Sequence, residues 1–319
     1  MRFFLVILAV LFGFYACDTD NIHKVDVSNI DVNFEVKRFD VDFYTSEKQN
    51  LPELKRKYPY FFPKEITDSI SVSKMSNKDE LELFAETQEI YQDVSPLKEE
   101  LRLLFKHVKY YNSKFIAPDV ITMLTNIEYE SRVIYADSLF IISLDVYLGK
   151  HHEFYADYPK YIKENNTKEH IVVDVAKAIT EKQIFNTSDR SFVGKMIHEG
   201  KKMYLLESYL PTVSSREIIG YEEDKFNWVT ANEEQIWTYF IEKKLLFSTD
   251  TKLNKRFLDT APFSKFYMEH DNLSPGRVGI WVGWQIVRSY MKQNDVSLQE
   301  LLKINELDLF KKSKYKPKK

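Results

Sequence analysis

Few side chains in this 319-residue sequence combine the types and spacing that chemistry requires. The clearest candidates are His170, Asp174 and Glu199. His170 and Asp174 stand four residues apart, so a helix sets them on one face. Glu199 falls on the next helix by pattern, and the three together could ligate a divalent metal. The His–Asp pair is equally an ordinary surface arrangement. Two His-Glu steps, His152-Glu153 and His198-Glu199, begin the zinc-hydrolase pattern H-E-x-x-H. That pattern needs a second imidazole one turn later, with the intervening Glu as general base. Ala156 and Lys202 hold those positions here, and an ammonium cannot ligate at neutral pH. The sequence contains no G-x-S-x-G, no phosphate-binding glycine loop and no cysteine–histidine pair.

The elements that must position these groups are helices. Residues 191–210 lack proline and carry apolar residues at helical spacing. Steps of three and four put Glu199 in a stripe with Phe192, Met196, Met203 and Leu206. His198 falls on another face with Lys195, Lys201 and Lys202. A carboxylate in an apolar stripe is unfavourable unless it meets a cation, a metal or several donors. A helix-end ion pair and a true polar site both satisfy that condition. The preceding helix, 169–183, shows an apolar face of Ile171, Val172, Val175 and Ile179.

The remaining chain is also mostly helical by pattern. Residues 77–93, 96–111, 232–248, 274–293 and 297–310 read as helices. His107 suits the last turn of the second as a dipole-facing cation. Gly276, Gly279 and Gly283 form a small-residue face on the fourth, which lets another backbone pack close. Short β-branched runs at 120–125, 132–137 and 139–148 predict a small sheet, and 32–44 an extended segment. The prolines of 51–63 argue against regular structure, leaving its aromatics to plug a surface groove. Residues 250–261 read as a loop, and 311–319 as a basic tail suited to solvent or to anionic lipid.

Composition excludes bulk nucleic-acid binding, because the net charge is −3. Hydrophobic residues make up 44% of the chain, enough for a large core. The N-terminus carries the most specific signal. Arg2 precedes an apolar run over residues 3–14, too short to span a bilayer but of signal-peptide length. Tyr15-Ala16-Cys17 follows, and it resembles the lipobox of bacterial lipoproteins. Cys17 is the only cysteine, so no internal disulfide competes for it. A diacylglycerol and acyl chain such as palmitate on Cys17 would anchor the chain durably. The expected organisation is a signal peptide at 1–16, a lipidated tether at 17–30 and one domain at 31–319.

Several segments together resemble the gliding-motility lipoprotein GldB family of Bacteroidota. They are Cys17 with its lipobox, ELKRKYPYFFP, SRVIYADSLFIISLDVYLGKHHEFYADYPKYI, HEGKKMYLLESYLP, EEQIWTYFIEKKLLFSTD, APFSKFY, SPGRVGIWVGWQIVRSYM and KKSKYKP near the end. The resemblance implies a periplasm-facing envelope lipoprotein, in either membrane, whose partners are other gliding-motility envelope proteins. By association it implies a link to type IX secretion. The layout is also similar, more distantly, to gluzincin-type metallopeptidases, with Glu199-Gly200 matching their E-G motif. The zinc helix would then be 169–183, which lacks the histidine pair and carries Lys177 and Glu181 instead. This likeness implies a metal-free relic in which Lys177 faces Glu199 as a buried polar site.

The expected fold is therefore α+β, mainly α with a small β-sheet, zincin-like. The expected function is a non-catalytic, lipid-anchored component or assembly factor of the gliding apparatus, with no metal, no other cofactor and no nucleic acid. The alternative is an envelope metallohydrolase using His170, Asp174 and Glu199.

Overall fold

The computed structural model describes residues 25–136, 138–185 and 187–318. The lipobox and Cys17 lie outside them. The chain enters with Val27 and Val32 already buried, so the polar tether ends earlier than its composition suggests. Strand β1 (Val36–Arg38) is short and turns directly into helix α1 (Phe39–Tyr44). The extended reading of 32–44 therefore holds only for its first part. Helix α2 (Leu51–Lys57) forms despite Pro52, because a proline in the first turn removes no helical hydrogen bond. Tyr58 behind it is fully buried against Phe39, at 5.0 Å between ring centroids. These aromatics build a small second core with Phe39 and Phe43 of α1 and Ile121 rather than plugging a groove.

Helices α3 (Asp68–Met75), α4 (Lys78–Tyr91) and α5 (Ser95–Tyr111) follow. His107 of α5 is buried and bonds the Leu103 carbonyl at 2.9 Å. Burial lowers its pKa, so it is not the dipole-facing cation the sequence suggests. Strands β2 (Asp119–Met123), β3 (Val133–Ala136) and β4 (Leu139–Ser143) complete a sheet of order β1-β2-β4-β3. β1, β2 and β4 run parallel, and β3 pairs antiparallel with β4 at the edge. The inner strands bury Val120, Phe140 and Ile142 completely, as parallel strands covered by helices require.

The second half is helical: α6 (Lys160–Lys163), α7 (Ile171–Gln183), α8 (Phe192–Tyr209), α9 (Ser215–Ile219), α10 (Glu223–Ala231), α11 (Glu233–Glu242), α12 (Lys252–Phe257), α13 (Val278–Gln293), α14 (Leu298–Lys303) and α15 (Glu306–Ser313). The fold is thus mainly α with a small β-sheet, as expected. The 297–310 reading divides because Asn305 caps a new helix through Leu307 and Asp308 N–H groups. The 232–248 helix stops at Glu242, where Lys244 takes a left-handed conformation.

At the centre α8 crosses α13 with almost no side chain between them. A Cβ on Gly283 would lie 1.8 Å from the Met196 carbonyl oxygen, and one on Gly200 would lie 2.3 Å from the Gly283 backbone. The glycine face of α13 does admit another backbone, as its spacing suggests. Among the described residues, no helix is long and apolar enough to cross a membrane.

Candidate functional site

A dense polar cluster gathers where α7 meets the sheet edge and α9. Spacings of four and three put His170, Asp174 and Lys177 on one face. His170 closes a 3-10 turn (Lys168–His170) just before α7, which carries the other two. Asp174 is buried, and its carboxylate accepts from the Lys177 Nζ at 2.9 Å. It also accepts from the Tyr147 hydroxyl at 2.9 Å and from the Arg132 Nη1 at 3.1 Å. The His170 Nε2 lies 3.5 Å from it. Burial pulls the Asp174 pKa up. Lys177, His170 and Arg132 outweigh that pull and hold the carboxyl well below the usual range.

His170 is fully buried and bridges the cluster to α9. Its Nδ1 faces the Glu217 Oε1 at 2.6 Å, and its Nε2 faces the Lys177 Nζ at 3.1 Å. An Nδ1–H donates to the Glu217 carboxylate. The His170 bond in turn lowers the Glu217 pKa. Burial lowers the Lys177 pKa against the opposing pull of Asp174. Arg132 also donates to Asn166 at 2.9 Å and lies over the Tyr147 ring at 5.5 Å. Two cations and two carboxylates therefore meet around one imidazole, and each is bonded within the cluster.

His170 and Asp174 are brought together as their spacing suggests, but Glu199 does not join them. Glu199 pairs with Lys202 at 3.0 Å, and its side chain is 31% exposed. The stripe reading misplaces it because α8 is buried nearly all round. Lys195, Glu199 and Lys202 form the outward face, whereas His198 and Lys201 are buried. The expected Lys177–Glu199 pair is a correction on the same ground. Nearer partners win: Asp174 three residues before Lys177, and Lys202 three residues after Glu199. Lys202 also reaches Glu181 of α7 at 2.9 Å. Among the described residues, no group of three or more His, Cys, Asp or Glu is arranged to hold a metal.

Sequence reasoning missed Arg132, Tyr147 and Glu217. Arg132 and Tyr147 flank strands and carry no pattern of their own. Glu217 did have a signal, since Ser214-Ser215-Arg216-Glu217 is a capping-box spacing. Ser214 accepts from the Glu217 N–H at 3.2 Å, and the Glu217 side chain turns to His170.

Glu217 also borders a groove of about 350 Å³ between α5, α7 and the turn after α8. Leu103, Leu104, Val172 and Leu210 line it, with Glu100 and Glu169 at its edge. Burial, then the neighbouring Glu169, raises the Glu100 pKa.

Fold and cluster define a helix-rich protein with a four-stranded mixed sheet and a charge-matched polar centre. The profile of the family described as gliding motility protein GldB matches residues 20–317, so the chain belongs to that family of gliding-motility lipoproteins. Membership associates it with the cell envelope. No curated protein and no solved structure matches the chain. The likeness to gluzincin-type metallopeptidases gains no support from these comparisons.

Proposed function

We propose that the chain is a non-catalytic scaffold of the gliding apparatus, held by lipid on Cys17 at the periplasmic face of a membrane. It serves there as an assembly or interaction component, connected through that apparatus to type IX secretion. Family membership supports the gliding context. One structural observation carries the non-catalytic reading: the polar groups of α7 are bonded to one another. Asp174 alone accepts from Lys177, Tyr147 and Arg132. A working site keeps a nucleophile, base or open ligand position aimed at the substrate. The metallohydrolase alternative also needs Glu199, which points outward to Lys202.

The test is colony spreading by cells whose only copy carries Glu199→Gln. That change removes the one acid of the His170, Asp174 and Glu199 set that lies outside the buried cluster, and it disturbs only the Glu199–Lys202 pair. Spreading at the parental rate, with unchanged protein level, is expected. Loss of spreading at normal protein level contradicts the scaffold reading.

A further inference from the structure

The surface formed by α11 and α15 combines exposed apolar side chains with lysines. Phe247 is 65% exposed and Ile241 51% exposed. The Phe247 ring lies 6.3 Å from that of Phe310 on α15. Trp237 packs against Phe310 at 6.1 Å and against Tyr315 at 5.2 Å. Ile241 sits one turn beyond Trp237 on the same helix face. A continuous ridge results, held in shape by Glu233, which accepts from the Tyr315 hydroxyl at 2.8 Å and from the Lys318 N–H at 3.1 Å.

Cations flank the ridge on both sides. Lys243 and Lys244 occupy the turn that ends α11, a helix that carries Glu233, Glu234 and Glu242. Residues 306–318 hold five lysines against two acids, in a chain whose overall charge is −3. Of those acids, Glu306 is bound to buried Lys201, and Asp308 lies 4.0 Å from Lys311. The surface is therefore locally basic and aromatic on an acidic protein.

We infer that this ridge is a second membrane contact, which lies on a bilayer surface rich in anionic lipid phosphate. Charge complementarity and the position of the chain's anchor both point to that occupant. Lysines near an anionic surface and aromatic rings at the headgroup level are the two features interfacial binding uses. Seven residues separate Cys17 from Val25, a reach of at most about 30 Å. The chain then runs along α5, whose Lys106 and Lys109 hold the Ser28 and Asp31 carbonyls. The last turn of α5 is tied to α14 by the Gln299 amide on the Tyr111 carbonyl at 2.8 Å. The tether thus leaves near the helix that leads into α15. A single flexible tether leaves a domain free to rotate, and the ridge would fix its orientation.

This inference rests on the lipid anchor, so the experiment reads the two separately. Full-length lipidated chain is placed in vesicles of phosphatidylcholine alone or with phosphatidylglycerol, and co-flotation with either reports the anchor. Phe247→Cys then carries an environment-sensitive fluorophore, uniquely, because Cys17 is the only native cysteine and is blocked by lipid. Tyr60→Cys, at an exposed site in the α2 region, is the control. With quencher-bearing lipid, the label at 247 is quenched in the anionic vesicles and released by high salt. It is not quenched in neutral vesicles, and the label at 60 is quenched in neither. Lys311→Glu with Lys314→Glu lowers the quenched fraction roughly tenfold or more. A label at 247 that stays unquenched with anionic lipid overturns the inference. So does equal quenching in neutral vesicles, or indifference to the charge reversals.

Discussion

Gly283→Ala tests the packing on which the whole second half depends. The added Cβ would stand 1.8 Å from the Met196 carbonyl oxygen, against about 3.4 Å for an ordinary contact, a shortfall of about 1.6 Å. Backbone, not a flexible side-chain tip, blocks it, so α8 and α13 must separate. Overpacking typically costs about 1–3 kcal/mol, and a backbone clash falls at or above the top of that range. Alanine returns about 1 kcal/mol of helix propensity. The expected net loss is about 2 kcal/mol or more, a fall of roughly 3 °C or more in Tm for a domain of this size. Denaturant unfolding of the full-length chain in detergent, followed by the fluorescence of its four tryptophans, measures it, with an unchanged slope expected. Gly279→Ala gives an internal scale. Its Cβ would first meet the Leu258 Cδ2 at 2.8 Å, a side chain that can move, so a smaller loss is expected. Gly200→Ala with Gly283→Ala is less than additive, since both force the same separation. A Gly283→Ala chain as stable as the parent refutes the close crossing.

Asp174→Asn leaves Arg132 and Lys177 short of their shared counter-charge, and a loss of roughly 3–5 kcal/mol is expected in the same unfolding assay. The folded-state pKa of Asp174 is depressed. Its stabilisation is therefore full above the unfolded value of about 3.9 and lost as pH falls from there toward the folded value; the variant loses less stability over that acid window. Lys201 is 2% exposed and donates to the Ile304 carbonyl at 2.6 Å and to Glu306 at 3.0 Å. Lys201→Met is expected to loosen α14 and α15, seen as faster proteolysis after residue 296 with the rest of the chain intact. Cys17→Ala removes the lipid attachment, and fractionation is expected to find the mature domain outside the membrane fraction.

Local signals in the sequence were strong where a helix carries its own caps and periodicity. Ser191 accepts from the Gly194 N–H at 3.1 Å and starts α8 where the pattern places it. The β-branched runs became β2 and β4 for a similar reason, since covered parallel strands need continuous apolar residues, and β3 pairs antiparallel at the edge with alternate residues facing out. The glycine spacing of α13 foretold a backbone neighbour. Burial of polar residues was not legible. Periodicity assigns one face to solvent, yet helices from several directions surround α8, so His198 and Lys201 lie inside, and Lys195, Glu199, Lys202 and Glu207 are its partly exposed residues. The polar cluster was half legible. His170 and Asp174 lie close in sequence, whereas Arg132, Tyr147 and Glu217 arrive by tertiary contacts that local spacing cannot encode. Helices α10 and α12 were missed because each is short and stabilised by docking rather than by a wide apolar stripe.

The central claim is that the charges at α7 neutralise one another and so leave no vacancy for a catalytic ion. Metal content of the full-length protein, purified from its own membranes without chelator, tests this directly. The expected result is no stoichiometric divalent metal, with the same value for His170→Gln. One tightly held equivalent, lost on His170→Gln while the chain stays folded, contradicts the account.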